Sequence, residues 1–80
     1  MITWKISFKN KINETLKEHK DKNGISKTWV AKQLNMSLQN LSALETSSNP
    51  SLITLAKVAF ILEVPIESLY HIDIERIISE

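Results

Sequence analysis

Ile2, Trp4, Ile6 and Phe8 alternate with Thr3, Lys5, Ser7 and Lys9, and a period of two marks a strand with one buried face. The period then lengthens. Phe8, Ile12 and Leu16 fall four apart, as on one face of a helix. Lys22-Asn23-Gly24 closes that run, with the lone glycine as helix stop. Ser26 and Ser37 are placed to start a second and a third helix, because a serine oxygen accepts from the unpaired N–H groups of a first turn. Thr46-Ser47-Ser48-Asn49 is the one clear loop. A fourth helix is expected behind an Asn49 cap, with Pro50 in its first turn. Leu52, Leu55, Ala56, Ala59, Phe60 and Leu62 would form its broad apolar face. Val64-Pro65 breaks it, and a short fifth helix is expected from Ile66 to about Tyr70.

The last segment, 70–80, reads two ways. Tyr70, Ile72 and Ile74 alternate with His71, Asp73 and Glu75, as in a strand, whereas Ile74, Ile77 and Ile78 have helical spacing. A strand at about 70–75 pairing antiparallel with 2–7 is favoured, since two strand signals in a helical chain need partners. A helical tail is the alternative. In either form Ile72, Ile74, Ile77 and Ile78 are more apolar than a free tail, which a dimer contact or core packing would explain.

Between Lys27 and Glu45 the spacing describes two short helices around a fixed corner. Val30 and Leu34 are four apart, Leu41 and Leu44 three apart, so each pair shares a helix face. Met36 plugs the turn between them. Ala31 is small where the helices cross, and Asn35 stands at the corner, where a positive φ is needed and asparagine is the best choice after glycine. Two crossed helices with such a turn, over 26–45, form a helix-turn-helix, which lays its second helix in a DNA major groove.

Eighty residues with 42% apolar content suffice for one small domain over 1–80 with a single core. The absence of cysteine rules out a disulfide framework and fits a reducing cytoplasm. No apolar run approaches the ~20 residues of a membrane span, and MITWKISFK lacks the apolar core and cleavage site of a signal peptide. Net charge is only +1. Its distribution says more: eight lysines lie at or before Lys32, while most acidic residues follow it. That asymmetry suits one face turned to a polyanion, although solvated surface lysines would look the same.

From Lys11 to Tyr70 the chain resembles the lambda-repressor-like (Cro/Xre-type) helix-turn-helix family of phage, plasmid and bacterial regulators. The resemblance is carried by Gly24-Ile25-Ser26, Val30-Ala31, Leu34-Asn35-Met36-Ser37, Leu44-Glu45, Asn49-Pro50-Ser51-Leu52 and Leu62-Glu63-Val64 with Leu69. The flanking strand signals resemble a subgroup of small Cro-like proteins whose termini pair as a β-ribbon. The resemblance implies a mainly α, compact five-helix domain, with a short antiparallel ribbon from the two terminal segments. It also implies a sequence-specific transcriptional regulator, in particular a repressor, acting on double-stranded DNA as a homodimer. Three departures stand out: Asn35 replaces the family's usual turn glycine, the loop after Glu45 is shorter and uncharged, and the recognition helix carries no Arg or Lys.

Under that resemblance, the base contacts expected from helix 37–45 are Leu38, Gln39, Asn40 and Ala43. A carboxamide presents donor and acceptor in one plane, matching adenine N6 and N7, and a good bidentate pair discriminates by ~1–3 kcal/mol. Leu38 and Ala43 suit thymine methyls. Ser26, Lys27, Thr28, Ser37, Ser42, Ser47, Ser48 and Asn49 are expected against phosphates, with Lys32 a further neighbour. The family pairs the Glu45 position with a basic residue of the first helix, and Lys20 stands at the matching place. Trp29 reads as core filler, with a partner surface as the alternative.

Catalysis is not expected. His19 and His71 have acidic neighbours but no ligand or acid–base spacing, two histidines without cysteine seldom hold zinc, and no glycine-rich loop exists to cradle a phosphate. No metal, cofactor or small-molecule substrate is expected. The rival reading is a protein-interaction module on the same fold, of antitoxin or antirepressor type, that meets a protein partner through Leu38, Ala43 and the isoleucine-rich end.

Overall fold

The computed structural model describes residues 1–79. Glu80, the last residue of the expected 70–80 terminal segment, lies outside the described residues. The order is β1 (Ile2–Asn10), α1 (Ile12–Asn23), α2 (Lys27–Gln33), α3 (Leu38–Glu45), α4 (Leu52–Leu62), a 3₁₀ turn (Ile66–Leu69) and β2 (Tyr70–Ile78). Among the described residues four α-helices are present rather than five. The expected fifth is a single 3₁₀ turn, because Pro65 precedes it in extended conformation and Tyr70 already belongs to a strand.

Each helix begins and ends for a local chemical reason. Ser26, Ser37 and Ser51 accept from the backbone N–H of Trp29, Asn40 and Thr54 and so cap α2, α3 and α4. The expected Asn49 cap is thereby corrected. Ser51 competes successfully for that role, and Pro50 stays outside the helix. Gly24 (φ 69°) ends α1 in the left-handed region and donates to the Lys20 carbonyl. Glu63 (φ 56°) ends α4 the same way, with the Val64 N–H reaching back to the Ala59 carbonyl at 3.0 Å.

The core is one cluster contributed by every helix. Ile12, Leu16, Val30, Ala31, Leu41, Leu55, Val58, Ala59, Leu62 and Leu69 are buried, and Leu34, Met36 and Leu44 pack against them. The broad apolar face expected of α4 is only half correct. Leu55, Ala59 and Leu62 face inward together with Val58, whereas Leu52, Ala56 and Phe60 are exposed, Phe60 to 85%. Trp29 is likewise not core filler but 44% exposed, since Val30 and Ala31 occupy the inward positions of α2.

The terminal strands pair antiparallel over their full length, from Ile2↔Ile78 to Asn10↔Tyr70. The strand alternative for the last segment is therefore the observed one, and both strands run longer than 2–7 and 70–75. Directly paired residues share a face. One face thus collects Ile2, Trp4, Ile6 and Phe8 with Ile72, Ile74, Arg76 and Ile78, and the other carries Lys5, Ser7 and Lys9 against Glu75, Asp73 and His71. Among the described residues the ribbon meets the helices at its base, through half-buried Phe8, Asn10 and Tyr70 and the Lys9–Glu14 ion pair at 3.4 Å, with the Phe8 and Tyr70 rings stacked at 6.1 Å. The radius of gyration is 15.2 Å against about 12 Å for a compact chain of this length, because the ribbon stands away from the helical body.

Candidate nucleic-acid interface

The corner between α2 and α3 is built as its residues dictate. Asn35 adopts φ 57°, the Met36 N–H closes the turn on the Ala31 carbonyl at 3.0 Å, and Ala31 is buried where the helices cross. Helix α3 is then anchored by buried Leu41 and half-buried Leu44 and Glu45. At about 100° per residue, the directions opposite these three belong to Gln39 and Ala43. Asn40 and Ser42 flank them, and Leu38 lies nearest the body. All five are exposed, Leu38 to 47%. Among the described residues, neither the Gln39 nor the Asn40 carboxamide makes a hydrogen bond; only the Asn40 backbone N–H is engaged, by the Ser37 cap. The Gln39 amide and the Ala43 methyl thus form the outermost surface of α3, with the free Asn40 amide at its edge.

The expected phosphate contacts divide into two groups. Ser37 and Ser42 border the outward face of α3, and Ser48 and Asn49 are exposed in the loop beyond it. Ser47 is half-buried, and its hydroxyl oxygen accepts from the Asn49 N–H at 3.2 Å. Ser26, Lys27 and Thr28 instead line a groove of about 480 Å³ together with Leu16, Lys17, Lys20 and Leu38. The groove brings the side chains of Lys17, Lys20, Ser26, Lys27 and Thr28 beside the first residue of α3. The Lys27 ammonium is engaged by Glu45, which leaves Lys17 and Lys20 as the cations a phosphate backbone could meet there. Lys17 and Lys20 were not foreseen there; their three-residue spacing on one helix face was the signal available in the chain.

Lys20 was expected to pair with Glu45, and it does not. Lys27 takes that role at 3.1 Å from Glu45 Oε2, with the Glu45 side chain only 8% exposed, and it also donates to Asn13 Oδ1 at 3.4 Å. The substitution is reasonable electrostatically. A carboxylate at the C-terminal end of α3 opposes the helix dipole, and the nearest cation offsets it. Glu45 Oε1 is buried without a hydrogen-bond partner among the described residues, so the ion pair satisfies only one carboxylate oxygen. On the outer face of α1, the hydrogen bond and charge of Lys22 hold the Glu18 carboxyl below its ordinary range, and Glu18 raises Lys22.

Asn10, which sequence reasoning passed over, ties the ribbon to this surface. Its Nδ2 donates to the carbonyls of Leu44 (2.8 Å) and Ser47 (2.9 Å), at the end of α3 and just after it. Its Oδ1 accepts from the Ile12 N–H at 2.9 Å, opening α1. One side chain therefore fixes where the ribbon leaves the body relative to the exposed amides.

Two crossed helices around a tight corner, the second held outward with lysines at its flank, have the arrangement of a helix-turn-helix. A model of the helix-turn-helix family matches residues 16–69, more than half of the chain. The protein belongs to this family in its lambda-repressor-like, Cro/C1-type form. It is a DNA-binding regulatory family and not a family of enzymes. No curated protein matches the chain. No helix among the described residues is long and apolar enough to cross a membrane, and no group of three or more His, Cys, Asp or Glu among them is placed to hold a metal ion.

Proposed function

We propose that the protein is a sequence-specific transcriptional repressor of phage or plasmid type, acting in the cytoplasm as a homodimer on double-stranded DNA. Helix α3 enters the major groove. Gln39 and Asn40 read adenine edges, and Leu38 and Ala43 lie against thymine methyls. Lys17, Lys20, Ser26 and Thr28 hold one phosphate strand, while Ser37, Ser42, Ser48 and Asn49 hold the other side of the groove. The observation that carries this reading is the pair of unengaged, exposed amides on α3, Gln39 outermost and Asn40 at its edge. Since few lysines reach the duplex, one copy binds weakly, and two copies on half-sites about 34 Å apart supply the affinity. The test is competition binding with Gln39→Ala. Affinity for the preferred site falls ~5- to 100-fold with the fold unchanged by circular dichroism. Equal affinity for specific and random duplexes in both proteins refutes it.

One observation favours a second reading, an interaction module of antitoxin or antirepressor type. Phe60, Ile53 and Ala56 line a groove of about 510 Å³ on the outer side of α4 that the core does not use. A stoichiometric protein partner together with no retardation of any duplex at low salt would select it.

A further inference from the structure

The ribbon's apolar face is uncovered from Ile2 to Ile72, and an isolated two-stranded ribbon is marginally stable in water. We propose that this face binds a second copy of the chain face to face and antiparallel, with the ribbon tip of each seated in a groove at the ribbon base of the other. This rests on the homodimer reading above and adds to it the surface, the orientation and the occupant of a groove. The groove, of about 260 Å³, is lined by Phe8, Pro50, Leu52, Tyr70 and Ile72 among others, and it opens on the same side as the apolar face. Leu52 is its unexplained member: an apolar side chain 69% exposed at the first residue of α4.

The register makes the face self-complementary, as a two-fold contact requires. The Ile6↔Ile74 pair stands midway between Ile2↔Ile78 and Asn10↔Tyr70. A two-fold axis there lays the Trp4↔Arg76 pair of one copy over the Phe8↔Ile72 pair of the other. Trp4, 58% exposed, then lies over Phe8 of the other copy, in the groove that Pro50 and Leu52 also line. Arg76 lies over Ile72, beside the Tyr70 ring, where a guanidinium lies favourably on a ring face. Each copy removes seven exposed apolar side chains from water at roughly 100 Å² apiece, about 1,400 Å² over both copies, within the range of specific interfaces. The opposite orientation, tip over tip, would leave Leu52 and its groove empty. It would also place both helical bodies at one end, whereas the antiparallel form separates them by about the ribbon length, roughly 27 Å.

The chain's lack of cysteine makes a clean test available without DNA. Trp4→Cys protein is mixed with Leu52→Cys protein under mild oxidation, and sedimentation equilibrium is run on the wild type, Leu52→Asp and Lys5→Gln. The expected results are a disulfide-linked mixed dimer, a dimer dissociation constant raised ~100-fold by Leu52→Asp, and no change with Lys5→Gln on the opposite face. Circular dichroism of Leu52→Asp keeps the wild-type helical signal, since the residue lies outside the core. A wild type that stays monomeric at ~100 μM, undiminished association of Leu52→Asp, or a dimer that never forms the mixed disulfide overturns the proposal; edge-to-edge pairing of ribbons would give that last result. Because every arm omits DNA, a dimer that assembles this way yet binds no duplex would refute the regulator reading and leave this inference standing.

Discussion

Replacing Asn10 removes three hydrogen bonds that join the ribbon, α1 and the end of α3. A typical intramolecular hydrogen bond contributes about 1 kcal/mol net, and a buried group left unpaired costs about 1–3 kcal/mol. The Leu44 carbonyl keeps a second bond from the Ser47 N–H at 3.2 Å, so the Ser47 carbonyl is the heavier loss. Asn10 is half-buried, which lets water recover part of the deficit. Asn10→Ala is therefore expected to destabilise by about 2–3 kcal/mol, a drop in Tm of roughly 8–24 °C for a chain of this size. Asn10→Asp is the sharper probe. It is nearly isosteric and keeps the acceptor for the Ile12 N–H, but it cannot donate, and it sets a carboxylate against two carbonyl oxygens. Urea unfolding followed by circular dichroism should place Asn10→Asp at least as low as Asn10→Ala, with the m-value unchanged. An Asn10→Asp protein within ~0.5 kcal/mol of wild type would refute the reasoning, since it would mean that Asn10 only fills space.

Other consequences are measurable in the same way. Lys27→Ala leaves the Glu45 carboxylate almost buried and unpaired and should cost about 1–2 kcal/mol. Glu45→Gln on that background should recover part of it, as a double-mutant cycle in urea would show. Asn35→Gly should hold or raise stability by up to about 1 kcal/mol because φ is positive there, while Asn35→Val should lower it by at least as much; thermal unfolding decides. Lys17→Ala and Lys20→Ala should weaken binding to all duplexes alike and reduce the slope of log affinity against log salt by about 1 each, measured by fluorescence anisotropy over a salt series.

The ribbon and the helix-turn-helix were legible in the chain because each repeats one rule over several residues. Alternation at Ile2–Phe8 and again at Tyr70–Ile74 allows one face only, and pairing follows from there being two such segments. The corner was legible because Ala31, Asn35 and Ser37 each answer a separate backbone demand. Helix α4 misled for the opposite reason. It is apolar nearly all round, from Leu52 and Ile53 to Phe60 and Ile61, so periodicity cannot say which side the core takes. Its start was read from Asn49-Pro50, whereas the Ser51 hydroxyl, two residues on, makes the cap. The partner of Glu45 could not be read from spacing, since Lys27 stands eighteen residues away in the chain and only the packing of α2 on α3 brings the two together. Asn10 carried no periodic signal at all. Two of its three partners lie in a loop and a helix end more than thirty residues away, a relation that exists only once the chain has folded.

The central claim is that the outward face of α3 reads base edges, and selection of bound sequences from a random duplex pool tests it most directly. The wild type should enrich an inverted repeat with adenine–thymine preference at fixed half-site positions, and Gln39→Ala should lose that preference at one symmetric pair while keeping the rest. A pool that stays random, or a repeat recovered unchanged by the Gln39→Ala protein, would contradict it.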